Sequence, residues 1–222
     1  MQIVIKNKKC SIDKIKKEYP DCVIIDVTSK AKDEFKKLSP FYPHHEIPVE
    51  PYDYTNLCAA SVEGIWQGLK VFENEEWSIS SLHNTSMKGI KRTTRVHGRC
   101  VGHAYGNLLR HKYDLLSYVE ARKKIYVPAY KWVLENKCSD LVNKIRIIAQ
   151  HKTVILLDYN TNEDIENGNK PLSHAALIKK YINKEATEAR ELLNSNVEFI
   201  NTDHYYTELQ NVLNKAKEIE ES

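Results

Sequence analysis

The run Thr153-Val154-Ile155-Leu156-Leu157-Asp158-Tyr159 constrains the fold more than any other stretch of the chain. Four aliphatic residues follow one another without a polar break, and a carboxylate closes them. A strand on a half-solvated sheet alternates polar and apolar residues, so an unbroken run reads as a central strand with both faces covered. A carboxylate at the end of such a strand sits where ligands collect in open α/β sheets. The polar, acidic residues 160–170 then read as the loop beyond it.

The beginning of the chain has short strand patterns of its own. Residues 2–5 alternate as a short strand, Ser11 is placed to cap a helix over 12–19 that Pro20 closes, and Cys22-Val23-Ile24-Ile25-Asp26-Val27 is a β-branched run bounded by turn residues. The opening therefore reads β-α-β and looks like scaffold, because its charges are mostly the lysines of a solvated helix face.

Length and composition set the class. With 222 residues the chain fits one domain of generous size or one domain with appendages, and 41% hydrophobic with 28% charged residues suggests neither a disordered nor a fibrous class. No run of eighteen or more apolar residues occurs, and the first residues lack the long apolar region of a signal peptide. Five scattered cysteines without a CxxC pair suit free thiols in a reducing compartment. The expectation is a cytoplasmic protein that does not engage a membrane. A formal charge of +3 is too small to argue for nucleic acid by itself.

The chemistry concentrates in residues 61–72. Val62, Ile65, Leu69 and Phe72 recur at the spacing of one helix face. Glu63, Gln67 and Lys70 stand at i, i+4 and i+7, which lines up a carboxylate, an amide and an amine, with Ser61 as N-cap. Most polar stripes of this kind are solvated surface. Gly64 and Gly68, however, each cost about 1 kcal/mol inside a helix and predict a close neighbour to the backbone.

Two further segments stand out. Residues 38–51 hold four prolines, Phe41, Tyr42 and the adjacent His44 and His45, and read as an ordered extended loop. Residues 85–106 interleave Lys88, Lys91, Arg92, Arg95, His97, Arg99 and His103 with glycines, a pattern suited to anions. His97, Cys100 and His103 share a spacing of three but lack a fourth ligand, and neighbouring histidines of a strand point to opposite sides, so no metal is expected. A cysteine hydrolase on Cys100 and His103 would need a contact in space that spacing cannot supply. Beyond these, helices are predicted over 113–137, with a kink or break at Pro128, and over 140–149, 171–181, 184–193 and 202–220, with a short strand at 197–200. The last forty residues look structural or partner-binding.

These motifs carry a resemblance. Leu38-Ser39-Pro40-Phe41-Tyr42-Pro43 resembles the LSNFYP opening of the NADAR (YbiA-like) family, and the stretch from Ser61 to Lys70 resembles its TVEHYYQAQK helix. Residues 88–99 resemble its basic segment with a GR pair. Residues 126–158 are similar to its helix-helix-strand region, and Asn167-Gly168-Asn169-Lys170-Pro171-Leu172 to its GxNxLG turn. The likeness spans about residues 38–182 in order. Tyr159 to Glu166 stand where the family has its WGIG stretch, Pro40 replaces an Asn, and Val71 is inserted after Lys70.

The resemblance implies an α+β fold, a YbiA-like single domain with a mostly helical shell around a small sheet. Residues 1–182 would form that domain, with a β-α-β element at 1–37 and the family-like core at 38–182, followed by a helical extension at 183–222. It implies an N-glycosidase-like hydrolase, without a cofactor, that cleaves an ADP-ribosyl or phosphoribosyl N-glycosidic bond. Its partner would be an ADP-ribose-type or phosphoribosyl small molecule, with ADP-ribosylated nucleic acid as a further candidate and oligomeric state open. In that reading Glu63 supplies the carboxylate near C1, Asp158 or Asp164 the second, and Lys70 holds a phosphate or attacks C1. Lys88 and Arg99 hold phosphates; Phe41, Tyr42 and Trp66 stack on a base; Gln67 and Asn169 complete the ligand contacts. Two other classes fit the same residues: a non-catalytic ADP-ribose or nucleotide-binding module, and an interaction protein without a ligand.

Overall fold

A computed structural model describes residues 2–49, 57–108 and 112–200. Glu50, Pro51 and the helix expected at 202–220 lie outside the described residues. The fold is α+β, and the strands among the described residues form three small sheets. The described residues up to 180 make one compact unit, and those from 181 to 200 belong to another.

The β-α-β opening is present as β1 (Ile3–Asn7), α1 (Ile12–Glu18) and β2 (Val23–Asp26). The apolar run is β8 (Val154–Asp158), and all five of its residues are buried. Ile3 and Val23 both lie opposite Val154 in parallel ladders, so β8 is the middle strand of the order β1-β8-β2. Ile15 of α1 packs with Ile155 and Leu157 on one face. Burial on both faces is what the missing alternation requires.

After β2 a 3₁₀ turn, Glu34–Leu38, leads into the proline-rich segment, whose β3 (Ile47–Pro48) pairs antiparallel with β4 (Cys58–Ala59). Then comes α2 (Val62–Gly68), with the Ser61 hydroxyl accepting from the Gly64 N–H at 2.9 Å. The helix expected over 61–72 stops at Gly68, and Lys70–Phe72 is a strand, β5. Val71 and Phe72 are strand formers, and β5 pairs with a neighbour further along the chain, a tertiary contact that overrides the helical spacing.

That neighbour is β6 (Cys100–Asn107), reached through α3 (Ile79–Leu82) and α4 (Thr94–His97). With β7 (Lys112–Leu116) it completes the antiparallel order β5-β6-β7. His97 therefore ends a helical turn while Cys100 and His103 lie on a strand, so the three do not share a helix face. Among the described residues no group of three His, Cys, Asp or Glu is placed to hold a metal ion.

The helix expected over 113–137 begins instead at Ser117, whose hydroxyl accepts from Glu120 N–H while the Glu120 carboxylate takes the Ser117 N–H. This capping box is a stop-and-start signal that outranks the apolar periodicity before it. α5 (Tyr118–Ala121) continues through a wider π turn, Arg122–Tyr126, into α6 (Val127–Asn136). Widening the turn ahead of Pro128 relieves the clash its ring makes with the carbonyl four residues earlier, so the proline does not break the helix. α7 (Ser139–His151) leads into β8. α8 (His174–Ile200) is continuous where two helices and a strand at 197–200 were expected. A short apolar run inside a helix-forming sequence does not differ in periodicity from a strand. None of the described helices is long and apolar enough to cross a membrane.

Candidate active site

A pocket of about 450 Å³ opens where the chain leaves β2 and β8. Thr28 and Ser29 follow β2; Asp158 ends β8 and Tyr159 and Asn160 follow it; Pro171 and Leu172 precede α8 and His174 begins it. Ser39, Pro40 and Phe41 form one wall, Glu63, Trp66, Gln67 and Lys70 another, Tyr118, Arg122 and Tyr126 a third, and Lys91 reaches the site from the basic segment.

The α2 wall is rigid for a reason visible in its glycines. A Cβ on Gly64 would stand 3.0 Å from the Ser81 carbonyl oxygen, and one on Gly68 only 2.7 Å from Leu82 Cδ2. The absence of side chains lets α3 lie directly against α2, and every residue of α2 is buried. The polar stripe is thus an interior one facing the pocket, not a solvated face. Pro40 is tied to it, since its carbonyl accepts from the Glu63 N–H at 2.8 Å. Behind that loop, the Tyr130 hydroxyl donates to the Leu38 carbonyl at 2.6 Å.

Along the stripe the groups bond in series. Gln67 Nε2 donates to Glu63 Oε1 at 2.8 Å, and Gln67 Oε1 accepts from Lys70 Nζ at 2.8 Å and from the Arg92 N–H at 2.9 Å. Lys70 Nζ also donates to the Arg92 carbonyl at 3.3 Å. Glu63 is 7% exposed. Burial raises its pKa above the ordinary carboxyl value, against the Gln67 hydrogen bond and the charges of Lys91 and Lys70. Burial likewise lowers the Lys70 pKa.

Asp158 lives in the opposite environment. Its Oδ2 takes the Ser173 hydroxyl at 2.7 Å, the Ala175 N–H at 3.4 Å and His174 Nδ1 at 3.0 Å. Burial works against its charged form, but these partners outweigh it and hold the carboxyl below its usual range. His174 is buried too, yet Asp158 on one nitrogen and the Val27 carbonyl on the other, at 2.8 Å, raise its pKa. One pocket therefore contains a carboxyl whose pKa is raised and another whose pKa is lowered.

Aromatic rings fill the remaining wall. Trp66 meets Tyr118 and Tyr126 edge-on at 5.5 and 5.6 Å and lies 4.0 Å from the buried His103 ring. Burial and the charges of Glu63 and Asp158 keep the Tyr126 phenol neutral well past its usual range. Arg122, 2% exposed, stacks under Tyr118 at 4.4 Å and donates to the carbonyls of Ile165, Asn167 and Lys170. It fastens the loop after β8 to the pocket wall.

Of the residues expected at the site, Phe41, Glu63, Trp66, Gln67, Lys70 and Asp158 come together. Five do not line the pocket. Tyr42 packs on His44, Lys88 is exposed, and Arg99, 80% exposed, pairs with Glu73 at 3.6 Å. Asp164 turns its carboxylate to the Glu166 N–H at 2.9 Å, and Asn169 is exposed. Tyr118, Arg122, Tyr126 and His174 were not anticipated. The first three recur every four residues, a spacing that was legible; His174 carried no signal beyond its place after Ser173, the residue that caps α8.

Fold and pocket together define an α+β protein with a buried acid-amide-amine wall. Its sequence matches, over residues 7–178, the model of a family of unknown function, DUF6939, and the chain belongs to that family. No curated protein matches it, and no solved structure does.

Proposed function

We propose that the chain is an N-glycosidase-like hydrolase acting on an ADP-ribosyl or phosphoribosyl substrate. The observation that carries this reading is the pair of carboxyls, Glu63 and Asp158, on two different elements of one aromatic-lined pocket and in opposite environments. Two titratable groups driven apart in this way suit an acid and a base. The likeness of residues 38–182 to the NADAR family supports the same substrate class.

In this scheme Glu63 gives its proton to the leaving nitrogen as the C1–N bond breaks. The ribosyl fragment passes through an oxocarbenium-like state, water adds to C1, and the proton of that water goes to Asp158. A weak base suffices there, because water adding to an oxocarbenium is itself strongly acidic. Asp158 Oδ2 is occupied by three donors, whereas Oδ1 takes only the Asn160 N–H at a long 3.5 Å and is the oxygen that serves. Trp66, Tyr118 and Tyr126 receive the flat base, and Lys70 and Lys91 offset phosphate charge.

The test is mass spectrometry of small products after incubation with ADP-ribosylated guanosine, ADP-ribosylated DNA and phosphoribosyl N-glycosides. Wild type releases ADP-ribose or ribose phosphate, and Glu63→Gln slows release about 10²- to 10⁴-fold. Binding of ADP-ribose without product, seen as a raised melting temperature, would replace this reading with that of a binding module.

A further inference from the structure

Gln67 was expected to touch the ligand, but its side-chain bonding leaves it little to offer. Both acceptor directions of Oε1 are filled, by Lys70 Nζ and the Arg92 N–H, and Nε2 is directed at Glu63. A backbone N–H can only donate, so the atom 2.9 Å from the Arg92 nitrogen is the amide oxygen and the flip of the Gln67 side chain is fixed. Arg92 is itself immobile. Its guanidinium is 5% exposed and donates to the carbonyls of Lys70 at 2.6 Å and Glu76 at 2.8 Å and to the Glu75 carboxylate at 2.8 Å.

The consequence passes down the series. With Nε2 facing Glu63, Oε1 of that carboxyl must accept, at 2.8 Å, and cannot carry a proton toward Gln67. Among the described residues no hydrogen bond reaches Oε2, while Glu63 itself lines the pocket. We propose that Gln67 is a positioning residue: its amide, locked by the Arg92 backbone, confines the labile proton of Glu63 to Oε2, the oxygen left for the substrate.

The proton then sits where transfer needs it, with no rotation of a buried carboxyl. Lys70 is fixed by the same amide, its ammonium donating to Gln67 Oε1 and the Arg92 carbonyl, so acid and amine are set by one side chain. The inference takes its catalytic meaning from the hydrolase reading, but the placement of the proton stands apart from turnover.

The experiment reads the Glu63 carboxyl directly. Infrared difference spectra of a pH titration, assigned by subtracting Glu63→Gln, give its midpoint in the unliganded protein. Gln67→Met keeps length and packing but donates nothing, so the ionised form of Glu63 loses a charge-assisted hydrogen bond. The midpoint rises by about one pH unit or more. Gln67→Glu retains an acceptor for Arg92 and Lys70 but sets a second carboxyl beside the first, and raises the midpoint further. Thermal unfolding confirms that each variant is folded; if Gln67→Met is not, Gln67→Glu decides. An unchanged midpoint in a folded variant overturns the proposal and leaves Gln67 a packing residue. If wild type also turns over an N-glycoside, the acid-side limit of its pH profile moves with the infrared midpoint. Absence of turnover with a shifted midpoint refutes the hydrolase reading alone.

Discussion

His174 joins three elements, and removing it tests the electrostatics of the site in one measurement. Its Nδ1 is 3.0 Å from Asp158 Oδ2 and its Nε2 is 2.8 Å from the Val27 carbonyl. An ionised carboxylate and a carbonyl only accept, so both bonds exist together only in the doubly protonated imidazolium. His174→Ala strips Asp158 of its charged partner and leaves a buried carbonyl unpaired, a loss of about 3–5 kcal/mol for breaking a buried pair from one side. In a chain of this size each 1 kcal/mol moves the melting temperature about 2–4 °C, which gives a fall of about 6–20 °C.

The sign of the pH dependence comes from the two shifts. His174 has its folded pKa raised above about 6.5, so its contribution is complete below that value and is lost as pH rises through the raised pKa. Asp158 has its folded pKa lowered, so its contribution is present above about 3.9 and is lost only as pH falls through the lowered value. The gap between wild type and His174→Ala is therefore widest between about pH 4 and 6.5 and narrows in alkali. There a neutral imidazole keeps one of the two bonds, and the gap falls to about 1–3 kcal/mol. Urea unfolding followed by circular dichroism at about pH 5.5 and pH 9 reads both ends. The cavity left by the ring costs the same at either pH, so a gap independent of pH would refute an imidazolium at this position.

Other expectations concern the walls. Tyr130→Phe leaves the buried Leu38 carbonyl without its donor and lowers stability by about 1–3 kcal/mol in urea unfolding, loosening the loop that carries Phe41. Gly68→Ala gains helix propensity of about 1 kcal/mol but forces a Cβ against Leu82 and the Ser78 carbonyl at a cost of about 1–3 kcal/mol, so calorimetry finds no stabilisation and a net loss of up to about 2 kcal/mol. In titration calorimetry with ADP-ribose, Lys91→Ala weakens affinity about tenfold and reduces its salt dependence, whereas Arg99→Ala, outside the pocket, changes affinity less than about twofold.

The central strand was the most legible part of the molecule. Val154 to Leu157 admit no half-exposed placement, and the β-α-β opening supplied the two parallel partners that such a strand needs. Boundaries failed where a local pattern met a stronger tertiary demand: Lys70 to Phe72 continue the helical spacing but find β6, and Tyr113 and Leu115 look helical until Ser117 and Glu120 cap the helix beyond them. In the site, Glu63, Gln67 and Lys70 could be grouped from spacing because they share one short segment. His174 and Arg122 act through partners distant in sequence, Val27 and Asp158 for one and the loop at 165–170 for the other, and no window of sequence brings such pairs together.

The order β1-β8-β2 has a consequence for assembly. Among the described residues β1 and β2 make no ladder with each other, and each pairs with β8 alone. The two strands of the β-α-β opening are joined only through a strand that lies far along the sequence. The same late strand delivers Asp158 and leads into His174, so the step that closes the sheet also closes the pocket. The sheet depends on ladders of high sequence separation, and the loop-closure entropy of such pairings slows folding. Without β8 between them, the two strands have no buried sheet to belong to and the pocket lacks the Asp158 that faces Glu63 across it, so interior and pocket are complete only together.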